Sequence, residues 1–238
     1  MAGSSSCDRG CRAAHASGCP IDPALSIIGV LNRDREAEIV RRFGFGRRHA
    51  LTRTGFTLYA RAVTAARDPS FYTELAVADT LDGHFDMICL HVALLTRRLA
   101  REPALAQAVF DAMFTDMDGC LREGGVGDLG VPRRVKAMWE GYNGRATAYG
   151  RALDGGDEAA LSMALLRNIW RGRDDASRQA DMLAGWTIRQ EASLAAQPDA
   201  ALVAGTVRFT AVPDAGAVDG GAADGGASIG MADAGEAR

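Results

Sequence analysis

Several features that would point to a particular class of protein are scarce in this sequence. It contains no run of about 18 consecutive apolar residues, so we expect no helix that crosses a membrane. Aromatic residues make up 6% of the chain while alanine is abundant, which favours helices over sheets. Five cysteines are an odd number for a disulfide framework, and we expect Cys89 and Cys120 to be small buried apolar residues.

The common signatures of catalysis and nucleotide binding are also missing. The sequence has no phosphate-binding loop of the G-x-x-x-x-G-K-[ST] type, no nucleophile elbow and no dinucleotide-binding loop. A net charge of −3 argues against a nucleic-acid-binding protein. Composition and motifs by themselves therefore indicate a helical domain that binds another molecule.

What the sequence does contain is a series of apolar residues at helical spacing. A stripe from Phe85 to Leu99 predicts a central helix, with Asp79 and Asp82 near its start and arginines near its end, as the helix dipole favours. A second helix is predicted from Pro103 to the glycines at 124 and 125, and a third from Pro132. Further helices are predicted over residues 51–67, at Asp68-Pro69, over 157–171 and over 176–195.

This pattern predicts an all-α protein with one compact multi-helix domain. We expect residues 1–32 to be a flexible leader, residues 33–195 to be the helical domain and residues 196–213 to be an extended arm. The tail at 214–238 is rich in Gly, Ala and Asp, and it has too few large apolar side chains to offset the entropy of ordering. We therefore expect the tail to be disordered.

Two short segments near the start allow a functional interpretation beside a structural one. Cys7, Cys11, His15 and Cys19 could bind zinc, but their spacing matches no compact zinc site, which favours a disordered leader. The segment 43–48, Phe-Gly-Phe-Gly-Arg-Arg, predicts a turn whose rings cover the edge of the core. The alternative is a membrane-surface contact with inserted rings and arginines on the headgroups.

Charge is distributed in blocks along the chain. Residues 33–67 carry nine arginines against three acids, residues 79–128 carry nine acids against four arginines, and residues 133–151 carry five basic residues against Glu140. Such blocks either form surfaces of opposite sign that orient a partner or pair with one another within the fold.

One set of residues could support metal chemistry. His84 and His91 are seven residues apart and share a helix face, and three aspartates follow on the next helix, at 111, 116 and 118. The sequence lacks the Glu-x-x-His pairs that di-iron helical bundles use. A metal-binding helical enzyme is therefore the alternative function, and a solvated acidic face is the favoured interpretation of Asp111, Asp116 and Asp118.

The central segment also resembles a known family. The motifs at 79–87 (DTLDGHFDM), 110–118 (FDAMFTDMD) and 125–138 (GVGDLGVPRRVKAM) occur in the order found in the ubiquinol-cytochrome c chaperone family. The resemblance covers about residues 40–172. It implies an all-helical fold, no enzymatic activity, no cofactor and a role in holding newly made cytochrome b. The mitochondrial members act with a small partner protein near the ribosome.

A holder of an apolar subunit needs an apolar groove with a polar rim. We expect the groove to be lined by Phe110, Met113, Phe114 and Met117, although the same four residues would also suit a plain core. We expect the charged contacts to come from Asp82, Asp86, Asp111, Asp116, Asp118, Arg133, Arg134, Lys136 and Arg145. The expected location is the bacterial cytoplasm, with peripheral contact at the inner membrane as an alternative.

Overall fold

The computed structural model describes residues 45–212, with side chains from residue 48 onward. Within that range the chain forms eight α-helices and two short 3-10 helices and has no β-strand. The predicted all-α fold is confirmed. The predicted leader, the four-residue zinc set at its start, Phe43 and the predicted disordered tail lie outside the described residues.

The first two helices cover one side of the core. Helix α1 (Phe45–Ala66) begins before Leu51, its predicted start, so the residues from 45 to 48 are helical and do not form the predicted turn. Helix α2 (Pro69–Thr73) begins where predicted, because the Asp68 side chain accepts a hydrogen bond from the Ser70 backbone N–H at 2.9 Å. Proline is tolerated in that first turn, where its missing N–H would have no partner.

Helix α3 (Leu81–Arg98) runs through the centre of the domain. Its N-cap is Thr80, whose hydroxyl accepts a hydrogen bond from the Gly83 N–H at 3.2 Å. Every residue from 86 to 95 is buried, so the middle of α3 is enclosed on all sides. The sequence had predicted burial along a single stripe. A helix segment that is buried all round belongs in the interior, and α3 contacts α1 and each of the longer helices that follow.

Helices α4 (Pro103–Glu123) and α5 (Val131–Asp154) follow a short 3-10 turn. Both begin with a proline in the first turn, as predicted. The loop after α4 contains Gly125 in the left-handed conformation, with a φ of +79°. Helix α4 runs closely along α1 because Gly55 has no side chain; a Cβ there would lie 2.6 Å from the backbone of Ala108.

Helices α6 (Glu158–Ile169) and α7 (Ser177–Ala195) pack against each other and close the other side of the core. Helix α6 ends before residue 171, its predicted end, because Arg171 and Gly172 adopt positive φ angles of +58° and +75°. Residues with positive φ cannot continue a right-handed helix.

The segment predicted to be an extended arm contains a short helix, α8 (Asp199–Val203). The residues that follow, 206–212, have no regular secondary structure and are named the C-terminal strap here. The strap crosses α7: the indole N–H of Trp186 donates to the Ala211 carbonyl at 3.1 Å, and the Thr210 N–H donates to the Gln190 side-chain oxygen at 2.7 Å. The strap thus adds to the core from one side.

Candidate protein-interaction surface

An aromatic cluster lies where α4 meets α5. The ring centroids of Phe110 and Phe114 are 4.8 Å apart, and both rings contact Tyr142 of α5, at 5.5 and 6.4 Å. Tyr142 is buried, and its hydroxyl lies 3.2 Å from that of Thr96 in α3. The two phenylalanines are partly exposed. They therefore form the boundary between the core and the surface, as a contact surface requires.

The two methionines predicted to line the same groove lie elsewhere. Met113 is 0% exposed and Met117 is 7% exposed, and both pack with the core. They fall on the side of α4 that faces the interior, together with Val109 and Ala112. A partner cannot reach Met113 in this conformation, so its assignment to the groove is corrected to a core position.

Trp139 and Leu129 are two exposed apolar residues that the sequence analysis did not assign to the surface. Trp139 is 41% exposed on α5, and Leu129 in the loop before α5 is 99% exposed. Trp139 precedes Tyr142 by three residues and is therefore its neighbour on the helix surface. The charged residues on either side of it in the sequence, Lys136 and Glu140, are the signal from which an exposed position of Trp139 could have been predicted.

Each of the three aspartates of α4 has its own local partner. Asp111 accepts a hydrogen bond from the amide of Gln107, one turn earlier. Asp116 accepts a hydrogen bond from the hydroxyl of Tyr59 in α1 at 2.7 Å, and burial raises the pKa of that tyrosine. Asp118 forms an ion pair with Arg122, one turn later, at 2.6 Å. The acidic face of α4 is thus partly neutralised within the fold.

The basic residues at the start of α5 are less engaged. Arg133 and Arg134 are exposed, and neither forms an ion pair with another side chain in the described part of the chain. Lys136 faces Glu140 one turn away at 3.7 Å, with both side chains largely in solvent. Asp82 is exposed in the first turn of α3. These four predicted contact residues are accessible to a partner.

Asp86 and Arg145 belong to the interior and not to the surface. The Asp86 side chain is 1% exposed and accepts hydrogen bonds from Arg145 at 2.6 Å and from Arg171 at 2.7 Å. Arg145 also lies over the Phe85 ring, with its guanidinium carbon 5.7 Å from the ring centroid. Burial raises the pKa of Asp86, and the two guanidinium groups oppose that effect. The trio joins α3, α5 and the turn after α6, so the predicted surface role is corrected to a structural one.

The two histidines do not form a common site. His84 is partly exposed, its Nε2 lies 2.7 Å from an Asp79 oxygen, and its ring stacks on Tyr72 with centroids 4.7 Å apart. His91 is fully buried among the rings of Phe71, Trp186 and Phe209, at centroid distances between 5.2 and 5.5 Å. The structure therefore does not bring together the residues of the metal-enzyme alternative.

The tautomer of His91 follows from its one hydrogen bond. Its Nδ1 lies 2.8 Å from the Met87 carbonyl, which can only accept, so Nδ1 carries a proton. Burial lowers the pKa of His91 to about 4. In residues 48–212, no group of three or more His, Cys, Asp or Glu side chains is arranged to hold a metal ion.

The two cysteines of the described region differ in exposure. Cys89 is buried as predicted, and burial raises the pKa of its thiol, whereas Cys120 is exposed on α4, contrary to the prediction. Among the helices of the described region, none has the length and apolar character needed to cross a bilayer.

Comparisons with known proteins agree with this architecture. Residues 73–209, more than half of the chain, match the family model described as ubiquinol-cytochrome C chaperone. The crystal structure of the Cbp3 homolog from Brucella abortus is similar, with 35% sequence identity and a TM-score of 0.62. That similarity covers 74% of this chain and 97% of the other. A search of curated proteins gave no match. The chain therefore belongs to the ubiquinol-cytochrome c chaperone family.

Proposed function

We propose that this protein binds newly made cytochrome b and holds it during assembly of the ubiquinol–cytochrome c oxidoreductase. The match of residues 73–209 to the chaperone family carries the proposal. Membership of a chaperone family implies a binding role without catalysis, with components of that respiratory complex as clients. Cytochrome b is the client that we infer, because its apolar helices need cover before they reach their final partners.

The surface that we propose for this client lies between α4 and α5. Its apolar part consists of Phe110, Phe114 and Trp139, and we name these three residues the aromatic band. Aromatic side chains make effective contact anchors because they offer a large area for a small loss of rotamer entropy. Phe110 and Phe114 contact the buried Tyr142 ring, and Trp139 lies one helical turn before Tyr142 on α5.

The rim of the proposed surface is charged. Arg133, Arg134 and Lys136 follow one another at the start of α5 and are exposed. Asp111 and Asp118 supply carboxylates on the adjoining α4, although each has a partner there. An apolar centre with a polar rim is the usual arrangement of a protein interface. Charges of both signs at the rim would fix the orientation of the client more than they raise its affinity.

Site-specific photocrosslinking in cells tests this assignment. A photoreactive amino acid placed at position 139 or 134 should capture cytochrome b. The control position is Met163 on α6, which is 71% exposed and lies outside the proposed surface. Equal capture of cytochrome b from position 163 would contradict the location of the surface.

A deletion strain tests the biological role itself. Loss of the gene should reduce the b-type haem spectrum of the ubiquinol–cytochrome c oxidoreductase while other respiratory complexes persist. Restoring the intact gene should recover the spectrum, and a W139A variant should recover it less well. Normal b-type haem in the deletion strain would remove the proposal.

A further inference from the structure

Helix α1 carries positive charge and no negative charge. Its sequence contains four arginines, at 47, 48, 53 and 61, and no Asp or Glu. The next acid along the chain is Asp68, which is engaged as the cap of α2. A helix of 22 residues with this composition has a strong local positive potential, although the whole chain is acidic.

The three arginines of α1 whose side chains the structure describes form no ion pair in the described part of the fold. Arg48, Arg53 and Arg61 are exposed, and within residues 48–212 none of them forms an ion pair with an Asp or Glu side chain. This differs from α3, where Arg97 and Arg98 form ion pairs with carboxylates of α5, α7 and α8. The positive charge of α1 is therefore available to a partner.

Most of the contacts of α1 lie on one side, which packs on α3 and α4 through a close contact at Gly55 and through Leu58, Ala62 and Ala66. The turn after α8 also approaches α1, because a Cβ at Gly205 would lie 3.4 Å from the Thr57 side chain. The exposed side, which we name the α1 outer face, consists of Arg53, Phe56, Ala60, Arg61 and Thr64.

The α1 outer face has a distinctive shape and chemistry. Phe56 is 40% exposed, and the small exposed residues Ala60 and Thr64 follow it on the same side of the helix. The Thr64 hydroxyl donates to the Ala60 carbonyl at 2.9 Å and so is satisfied within the helix. The face therefore combines one exposed ring and two cations, without an acidic side chain.

We propose that the α1 outer face is a contact site for an anionic lipid surface. A helix that lies in the interface plane of a bilayer places an apolar ring among the headgroups and its arginines on the lipid phosphates. The exposed Phe56 ring favours a lipid surface, into which apolar side chains insert, over the phosphate backbone of a nucleic-acid duplex. The attraction is electrostatic at first contact, so added salt weakens it.

This inference is separate from the client surface, because α1 contributes none of the residues of the aromatic band. The probe is a vesicle of phosphatidylglycerol mixed with phosphatidylcholine, compared with a vesicle of phosphatidylcholine alone. The full chain should float with the anionic vesicle and not with the neutral one. The substitution R53Q/R61Q should lower the fraction bound roughly tenfold, given the free energy that each basic residue gains near an anionic surface.

The matched control is R167Q/R178Q, which removes the same charge from two exposed arginines of α6 and α7. It should float as the wild type does, and circular dichroism should show the same helix content for all variants. An F56S variant should float less well than the wild type at equal charge. Absence of flotation by the wild type, or equal flotation of R53Q/R61Q and wild type, would overturn the proposal.

Binding of a random-sequence RNA is measured in parallel. We expect R53Q/R61Q to leave it unchanged. If the substitution lowers RNA binding and leaves flotation intact, the outer face is a nucleic-acid contact and the lipid proposal is wrong. Crosslinking of cytochrome b from position 139 is independent of this result, so failure of one proposal does not imply failure of the other.

Discussion

The carboxylate of Asp86 accepts a hydrogen bond from the Arg145 guanidinium at 2.6 Å, and this contact joins the central helix α3 to α5 inside the domain. Arg171, in the turn after α6, donates a hydrogen bond to the other oxygen of the same carboxylate. Charged groups are costly to bury unless they are paired. The ion pair therefore helps to hold α5, the helix that carries Trp139, against α3.

Replacing Asp86 by Asn should destabilise the domain by about 3 kcal/mol, because Arg145 would be left buried without its counter-charge. Urea unfolding followed by circular dichroism measures the change. The exposed Asp82 is the matched control, and D82N should cost less than about 1 kcal/mol. The double variant D86N/R145Q should lose less than the sum of the two single losses. Additive losses would show that the two groups do not interact.

Stability should fall in mild acid because of His91. Its pKa is lowered from 6.5 to about 4 in the folded protein, so between these values the unfolded chain binds more protons. The contribution of a neutral His91 is complete above the unfolded pKa and is lost as the pH falls toward 4. Between about pH 7.5 and about pH 5 the expected loss is about 2 kcal/mol.

The variant H91F isolates this effect, since a phenyl ring fits an aromatic cluster and does not titrate. Urea unfolding measures the decrease in unfolding free energy between the two pH values. This decrease should be about 2 kcal/mol smaller in H91F than in the wild type. An equal pH dependence in H91F and the wild type would assign the loss to other groups.

Gly83 should be intolerant of a side chain. A Cβ at this buried position in the first turn of α3 would overlap the carbonyl oxygen of Ala78. We expect G83A to cost about 1 to 3 kcal/mol in unfolding free energy, as overpacking usually does. Gly119 in α4 has nothing within 4 Å of its Cβ position, so G119A should stabilise the domain by up to about 1 kcal/mol. Similar effects of the two substitutions would contradict the close contact.

Substitutions at Trp139 and Met113 should affect different properties: the first should weaken client binding and the second should lower the stability of the fold. W139A removes an exposed ring, so the amount of cytochrome b that co-purifies with the chaperone should fall at least severalfold, with a change in stability below about 1 kcal/mol. M113A creates a cavity and should cost about 2 to 5 kcal/mol. Thermal melts and quantification of co-purified cytochrome b provide the two readouts. A W139A variant that binds normally would exclude Trp139 from the client surface.

Much of the architecture was predictable because helices leave local signals. Asp68-Pro69, Pro103 and Pro132 marked the starts of α2, α4 and α5, and the glycine pair after α4 marked its end. Such signals act within one turn of the chain, where backbone hydrogen bonding and side-chain sterics decide the outcome. The start of α1 and the end of α6 were placed wrongly because left-handed residues and fraying ends give weaker local cues.

The candidate site was harder to predict because spacing shows which residues share a face and not how deeply that face is buried. Met113 and Phe114 are neighbours in sequence, yet one is enclosed and the other reaches the surface. Asp86 was assigned to a charged surface because a single sequence does not show which arginine approaches it. Its partners are 59 and 85 residues away along the chain.

The sequence by itself determined the helical class, most of the helix boundaries and the family. These depend on local periodicity and on the order of motifs along the chain. Both can be determined from the sequence without any knowledge of packing. The tertiary structure alone decided that α3 is enclosed on every side, that Asp86 and Met113 are internal and that Trp139 is exposed. Burial is a property of several helices packed together, so no single segment encodes it.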